Sequence, residues 1–196
     1  MFTEIRAALR PAVVLLLMLT ALTGIAYPLA VTGIAQALFP SRANGSLIVD
    51  GGHVVGSELI AQGFTAAGYF HPRPSEAGKG HDASTSAATN LAPGSKDLRD
   101  AIAARVADAR AAGITGAIPT DLVTTSASGL DPDLSPEAAL AQVERVAMAR
   151  SMTPQAVRAL VQAAIRYPLF GIIGEPRVNV LLLNRQIDRL SAKPTQ

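Results

Sequence analysis

Several residue types are absent or scarce in this chain of 196 residues. Cysteine and tryptophan are absent, aromatic residues make up 4% and charged residues 16%. Without cysteine, the chain can form no disulfide, thiolate nucleophile or cysteine-ligated metal site, which suits an oxidising compartment. Globular domains carry about 25% charged residues. The mean hydropathy of +0.29 therefore indicates a local lipid-soluble stretch.

The formal net charge of +2 belongs entirely to the first 42 residues. Arg6, Arg10 and Arg42 stand there against Glu4, which leaves fourteen basic and fourteen acidic residues in 43–196. A nucleic-acid surface needs a basic face, and single strands also need aromatic stacking platforms. The neutral balance and the scarcity of aromatics exclude nucleic-acid binding.

Residues 11–41 contain no charged side chain. Since about 20 apolar residues cross a bilayer, we predict a transmembrane helix over 11–39. The basic residues before it place residues 1–10 in the cytoplasm and the domain 43–196 outside the membrane. The alternative is a signal peptide cleaved after Ala37, which would release an exported envelope or binding protein. The apolar run is longer than the 7–15 residues or so of a signal peptide, which favours a retained anchor.

A strip of small residues follows one face of the predicted membrane helix: Ala26, Ala30, Gly33 and Ala37. Such strips let another membrane helix approach closely. The alternative is that alanine is simply abundant in this chain. Pro28 lies in the same segment and predicts a kink.

The region after the anchor begins with turn and strand patterns. Asn44-Gly45 indicates a turn, and residues 46–49 and 53–55 predict a hairpin closed by residues 50–52. Residues 74–95 are rich in Gly, Ser, Ala and Pro and lack hydrophobic periodicity. We expect a loop there that contacts a partner.

Four helices and one strand are predicted beyond residue 95. Ser95, Ser135 and Thr153 are capping residues, the last two followed by proline at the first helical position. The helices are expected from Ser95 to about Gly113, from Ser135 through Val146, from Thr153 to Pro168 and over 178–190. Residues 121–125 read as a strand. The domain is therefore α/β or α+β.

No catalytic or metal-binding set can be recognised. His53, His71 and His81 lack ligand spacing, and motifs for a nucleophile elbow or a phosphate loop are absent. One constellation remains: the turn over residues 126–131, followed by a capped helix with Gln142. It could offer backbone N–H groups and an amide to an anion, or be an ordinary turn and cap.

Several segments, in order along the chain, resemble the C subunit of Kdp-type potassium-transporting P-type ATPases, a bacterial inner-membrane complex. They are ANGSL at 43–47, GSELIAQGF at 56–64, GYFHPRPS at 68–75, DLVT at 121–124, SGLD at 128–131, RVAMAR at 145–150 and GEPRVNV at 174–180. One departure is SAATN at 86–90, where the family has glycines after the serine. Contacts carried over to that loop are accordingly weaker expectations.

The resemblance implies a non-catalytic subunit of a high-affinity, ATP-driven potassium uptake complex. Its partners would be a channel-like potassium-binding subunit, the P-type ATPase subunit and a small single-helix subunit. Two roles are implied: a catalytic chaperone that raises the ATP affinity of the ATPase subunit, with Ser128, Gly129 and Gln142 as nucleotide-related residues, or an extracytoplasmic stabilising cap. No tightly bound cofactor is expected, only ATP contact within the complex. The orientation argued above favours the cap, because cytoplasmic ATP cannot reach an exported Gln142.

Overall fold

The computed structural model describes residues 2–191. The chain divides into two compact units between Leu47 and Ile48. The first unit is dominated by α1 (Phe2–Leu19), a π-helical segment (Thr20–Ala26) and α2 (Tyr27–Leu38), followed by the short helix α3 (Pro40–Ala43). α1, the π-helical segment and α2 together form a helix, Thr3–Leu38, that is long and apolar enough to cross a membrane, and an 18-residue stretch of it has a mean hydropathy of 2.1.

The π-helical segment lies immediately before the residue that predicted a kink. Pro28 occupies the first turn of α2, directly after the π-helical segment, and both features interrupt the regular α-helical hydrogen-bond ladder. A hydrogen bond from Thr23 Oγ1 to the carbonyl of Leu19 (2.7 Å) lies in the same region. The small residues Ala26, Ala30, Gly33 and Ala37 are all exposed on the helix surface.

The second unit combines antiparallel strands with helices, so it is α+β. Its hairpin has strands β1 (Leu47–Asp50) and β2 (His53–Ser57), as predicted. No helix or strand follows until residue 96, which agrees with the predicted absence of regular structure over 74–95. Next come α4 (Lys96–Ala111) and a 3₁₀ turn (Thr120–Leu122).

The remaining elements build the core. They are β3 (Asp133–Leu134), α5 (Pro136–Leu140), α6 (Val143–Ala149), α7 (Pro154–Ala164), β4 (Ile165–Arg166), β5 (Arg177–Asn179) and α8 (Val180–Ser191). The central strand β5 pairs antiparallel with both neighbours, and Val178 lies opposite Leu134 and Ile165. Helices α5 to α8 pack their apolar residues around this small sheet, together with the fully buried Phe70.

The three capped helix starts beyond residue 95 are confirmed. The side-chain oxygens of Ser95, Ser135 and Thr153 accept hydrogen bonds from the N–H groups three residues later, at 3.2, 3.2 and 3.3 Å. Each bond satisfies one of the amide groups that a helix N-terminus leaves unpaired.

The predicted strand over 121–125 is wrong. The Asp121 carboxylate accepts a hydrogen bond from the N–H of Ser135 (2.7 Å), and the Thr124 hydroxyl donates to the carbonyl of Thr120 (2.9 Å). Such side-chain bonds to the backbone compete with a strand ladder, and the segment adopts the 3₁₀ turn instead.

Three helix boundaries also differ from the sequence prediction. The helix beginning after Ser135 breaks at Ala141-Gln142, and the helix beginning after Thr153 ends at Ala164, before Pro168, because the next two residues pair with β5. Val178 belongs to that strand, so the last helix begins only at Val180.

Candidate functional site

A segment without helix or strand, residues 67–71, is held almost entirely by side chains of α6 and α8 and the residues flanking α6. Its five consecutive carbonyls all accept side-chain hydrogen bonds: those of residues 67 and 69 from Arg145 (2.6 and 2.9 Å), 68 from Arg150 (2.8 Å), 70 from Asn184 (2.9 Å) and 71 from Gln142 (3.0 Å). Buried backbone groups need partners. We call residues 67–71 the clamped segment.

Two side-chain amides each bind one residue of the clamped segment at both its N–H and its carbonyl. Phe70 donates its N–H to Asn184 Oδ1 (2.8 Å), and His71 donates its N–H to Gln142 Oε1 (2.8 Å). Asn184 and Gln142 are 1% and 2% exposed. Each amide therefore replaces the neighbouring strand that an extended segment would otherwise pair with.

The break between α5 and α6 positions Gln142 for this role. Its amide Nε2 also donates to the carbonyl of Ala138 (3.3 Å), and its Oε1 also accepts from Arg145 Nη2 (2.6 Å). Both donors and both acceptor sites of the glutamine amide are therefore used inside the domain.

Burial and charge tune the groups around Gln142. Burial, and then the nearby Arg145 cation, lower the pKa of His71, while its hydrogen bond to the carbonyl of Ala66 acts in the opposite direction. Burial also lowers the pKa of Arg145, which nonetheless stays charged. We call the clamped segment, together with the side chains of Gln142, Arg145, Arg150 and Asn184 that bind it, the clamp. The clamp thus combines a neutral imidazole with a guanidinium that binds carbonyl and amide oxygens.

An ion pair between Arg150 and Asp188 of α8 also supports the clamped segment. Arg150 Nη2 lies 2.8 Å from Asp188 Oδ1, and the guanidinium stacks 4.5 Å from the ring centre of Tyr69. The Tyr69 hydroxyl donates to the other oxygen of Asp188 (3.2 Å). Arg150 therefore links α8, the end of α6 and the clamped segment through one planar group.

The Ser128-Gly129 turn binds the loop over residues 74–95. The carbonyl of Ser128 accepts hydrogen bonds from Ser86 Oγ (2.9 Å) and from the N–H of Ala87 (3.1 Å). The carbonyl of Gly129 accepts one from Ser75 Oγ (2.6 Å). Gly129 has φ +67°, and a Cβ there would stand 2.7 Å from the carbonyl oxygen of Ala87. Only glycine fits this close approach.

The departure from the resembling family at residues 86–90 falls on this contact. Ala87 takes part through its backbone N–H, which any residue except proline supplies. Asn90 adopts φ +51°, a conformation that asparagine tolerates better than most residues. The loop therefore keeps its attachment to the turn without glycines at positions 87 and 88.

A cavity of about 290 Å³ borders the clamped segment, with His71, Arg105, Asp108, Gln142 and Arg145 in its lining. Ser128 and Gly129 do not belong to that lining. The structure thus places Gln142 at the cavity and the two turn residues at the 74–95 loop.

Two of the three histidines lie within hydrogen-bond distance of backbone carbonyls. His81 Nε2 lies 3.1 Å from the carbonyl of Arg73, and His71 Nε2 lies 3.2 Å from that of Ala66. Among residues 2–191, no group of three or more His, Cys, Asp or Glu side chains could hold a metal ion.

Most of the clamp was not predicted from the sequence. Gln142 was a predicted site residue, but Arg145 and Arg150 were not, although both belong to a segment that carried the resemblance. Asn184 could have been noticed, because it is an amide on a helix face otherwise formed by Val180, Leu183 and Ile187. A polar residue on a core-facing helix surface indicates a buried hydrogen-bond partner.

The chain matches the family model described as KdpC, K+-transporting ATPase, c chain, over residues 9–189. It is 56% identical to the potassium-transporting ATPase KdpC subunit of Rhodospirillum rubrum over 182 residues, 92% of this chain and 94% of the relative. The subunit of the same name from Myxococcus xanthus is 54% identical over 96% of this chain and 89% of the relative. That of Caulobacter vibrioides is 54% identical over 92% of both chains.

The family match over residues 9–189 covers most of the apolar helix, the clamped segment and nearly all of the helices that hold it. The chain therefore belongs to the KdpC family, the c chains of K+-transporting ATPases.

Proposed function

We propose that this chain is a non-catalytic accessory subunit of a high-affinity potassium uptake ATPase, and that its globular unit acts as an extracytoplasmic stabilising cap. It assembles in the inner membrane with a channel-like potassium-binding subunit, a P-type ATPase subunit and a small single-helix subunit. The apolar helix Thr3–Leu38 anchors it. The N-terminus lies in the cytoplasm, following the distribution of basic residues.

The choice of a cap rests on the hydrogen bonds that the Gln142 amide makes inside the domain. Gln142 is 2% exposed and bonds both backbone groups of His71 as well as Arg145. A nucleotide could use this amide only after it released His71, which would leave two half-buried backbone groups without partners. A cap needs the opposite property, a surface held rigid by its core.

The competing role is nucleotide contact by Ser128, Gly129 and Gln142 as a chaperone for ATP binding. It requires these residues on the cytoplasmic side, whereas the cap requires them outside. Orientation therefore separates the two roles.

Cysteine labelling tests the orientation directly, because the natural chain has no cysteine. Ala83→Cys and Thr3→Cys each place one thiol at an exposed position, in the 74–95 loop and at the start of the apolar helix respectively. We expect a membrane-impermeant maleimide to label Ala83→Cys in intact spheroplasts and Thr3→Cys only after lysis. The reverse pattern would exclude the extracytoplasmic cap.

Two further measurements address assembly and anchoring. Deletion of the chain should abolish growth at limiting potassium, and normal growth of the deletion strain would contradict a role in the uptake complex. The mass of the mature protein distinguishes a retained anchor from a released envelope protein, because cleavage after Ala37 would remove residues 1–37.

A further inference from the structure

The apolar helix Thr3–Leu38 ends in a compact turn that carries a single charge. Arg42 is the only charged side chain in residues 11–49. Phe39 and Arg42 are both exposed, and the central carbon of the Arg42 guanidinium lies 5.9 Å from the centre of the Phe39 ring. At this distance the guanidinium and the ring attract each other through a cation–π interaction. We call Phe39 and Arg42 the interfacial pair.

Side-chain amides fix the turn that presents the interfacial pair. Gln36 and Asn44 exchange two hydrogen bonds, because Gln36 Nε2 donates to Asn44 Oδ1 (3.2 Å) and Asn44 Nδ2 donates to Gln36 Oε1 (3.1 Å). Asn44 Nδ2 also donates to the carbonyl of Pro40 (2.7 Å). The turn that carries Arg42 is therefore tied to α2 before any ligand binds, so little further ordering opposes binding.

Helix length places the interfacial pair at the level of the lipid headgroups. The charge-free part of the apolar helix, residues 11–38, is about 40 Å long at about 1.5 Å per residue. A bilayer is about 30 Å thick across its hydrocarbon core and about 40–45 Å thick with its headgroup layers. A spanning helix of this length ends among the headgroups, and Phe39 directly follows its last residue.

Charge complementarity favours a phosphate as the partner of Arg42. The carboxylates nearest to it along the chain are Glu4, at the opposite end of the apolar helix, and Asp50, which pairs with Arg185 (2.9 Å). A recess of about 270 Å³ adjoins the guanidinium and is lined by residues 39–42. Every phospholipid headgroup contains a phosphate, and guanidinium groups bind phosphate through two parallel N–H···O bonds.

We propose that the interfacial pair binds the headgroup of a membrane phospholipid, with the phosphate on the Arg42 guanidinium and the Phe39 ring against the upper acyl chains. A phospholipid satisfies both members of the pair, because the ring is apolar and 54% exposed and the guanidinium is charged. Free phosphate would satisfy only Arg42. The proposal rests on the membrane anchor of the proposed function but not on its orientation, because both leaflets contain phosphate.

Tryptophan quenching tests the depth of the pair. The natural chain has no tryptophan, so Phe39→Trp gives a single fluorophore in the full chain, reconstituted into vesicles of phosphatidylcholine and phosphatidylglycerol. Lipid spin-labelled at the headgroup should quench it more strongly than lipid labelled at the end of an acyl chain. Ile25→Trp is the matched control, because Ile25 is 56% exposed near the middle of the helix and should show the opposite order.

The two positions separate failure of this proposal from failure of the anchor. Stronger quenching of Phe39→Trp by the acyl-chain label would place the pair inside the hydrocarbon core and exclude headgroup binding, while the accessory-subunit proposal would stand. Headgroup quenching at both positions would contradict the membrane anchor, and with it both proposals.

Lipid titration tests the role of the charge. The full chain with Phe39→Trp is titrated in a non-ionic detergent with spin-labelled phosphatidylglycerol, and the quenching gives the Kd. Arg42→Gln should weaken binding about tenfold or more, the loss expected for a charge-assisted hydrogen bond. Arg158→Gln, at an exposed position of α7, is the control. Equal affinities of the three chains would refute the proposal, and displacement of the lipid by inorganic phosphate at the same concentration would show a site for a free anion instead.

A photo-crosslinker identifies the occupant in the assembled transporter. With p-benzoylphenylalanine in place of Phe39, in the complex reconstituted into the same vesicles, we expect crosslinks to phospholipid. Crosslinks only to another subunit or to a second copy of this chain would overturn the lipid assignment and leave the accessory-subunit proposal standing.

Discussion

Replacement of Gln142 by methionine is the most informative perturbation of the clamp. Methionine matches glutamine in length and volume but can neither donate nor accept the four hydrogen bonds of the amide. The two half-buried backbone groups of His71 lose their partners, and an unpaired group costs about 1–3 kcal/mol when it is fully buried. His71 borders the cavity of about 290 Å³, where water can replace part of this bonding. We therefore expect the free energy of unfolding to fall by about 2–4 kcal/mol.

The assay is urea unfolding of the full chain in detergent micelles, followed by far-UV circular dichroism. Gln155→Met is the matched control, because Gln155 is exposed on α7 and its replacement should change the stability by less than about 0.5 kcal/mol. Equal midpoints for Gln142→Met and Gln155→Met would refute the clamp argument. Normal stability of Gln142→Met together with a raised KM for ATP in the complex would support the nucleotide-contact role instead.

Three further changes test the same architecture. Asn184→Leu should destabilise the chain by about 2–4 kcal/mol in urea unfolding. The double variant Asn184→Leu/Gln142→Met should lose less stability than the sum of the two single losses, because both changes release the same segment. Strict additivity would show that the two amides act independently. Gly129→Ala should lower stability by at least about 1 kcal/mol and speed proteolysis of the 74–95 loop, because Gly129 has a positive φ and close contacts. Gly116→Ala is the control, because Gly116 has open space around it. Equal rates of cleavage for the two variants would contradict the prediction. Burial and a neighbouring guanidinium lower the pKa of His71. Between the pKa of the folded state and about 6.5 the unfolded chain therefore binds more protons, so stability should rise with pH through that window. His71→Asn should flatten this rise, and an unchanged slope would exclude His71 as its source.

Local patterns accounted for much of the fold. The caps at Ser95, Ser135 and Thr153, the hairpin over β1 and β2, and the long apolar helix all depend on residues within a few positions of one another. Interactions of this range are written directly in sequence spacing. The strand predicted over 121–125 was wrong for a related reason. The hydrogen bond from the Ser135 N–H to the Asp121 carboxylate joins residues 14 positions apart, so it is not local.

The site was only half predictable. Gln142 was singled out from the sequence, but the residue that it binds lies 71 positions away, and Asn184 binds Phe70 across 114 positions. No spacing rule connects residues so far apart. The exposure of Phe170 and Ile172 could not be foreseen either, because a run of apolar residues reads equally well as a buried strand.

The sequence by itself determined that the chain carries one apolar helix, that its net charge lies before residue 43, and where the three capped helices start, because each of these depends on composition or on neighbouring residues. Only the tertiary structure decided that Gln142 serves the backbone of His71, that a 3₁₀ turn replaces the strand at 121–125, and that the apolar residues at 167–173 face outward. These features depend on which distant groups compete for the same hydrogen bonds and the same core, and that competition is resolved only when the chain folds.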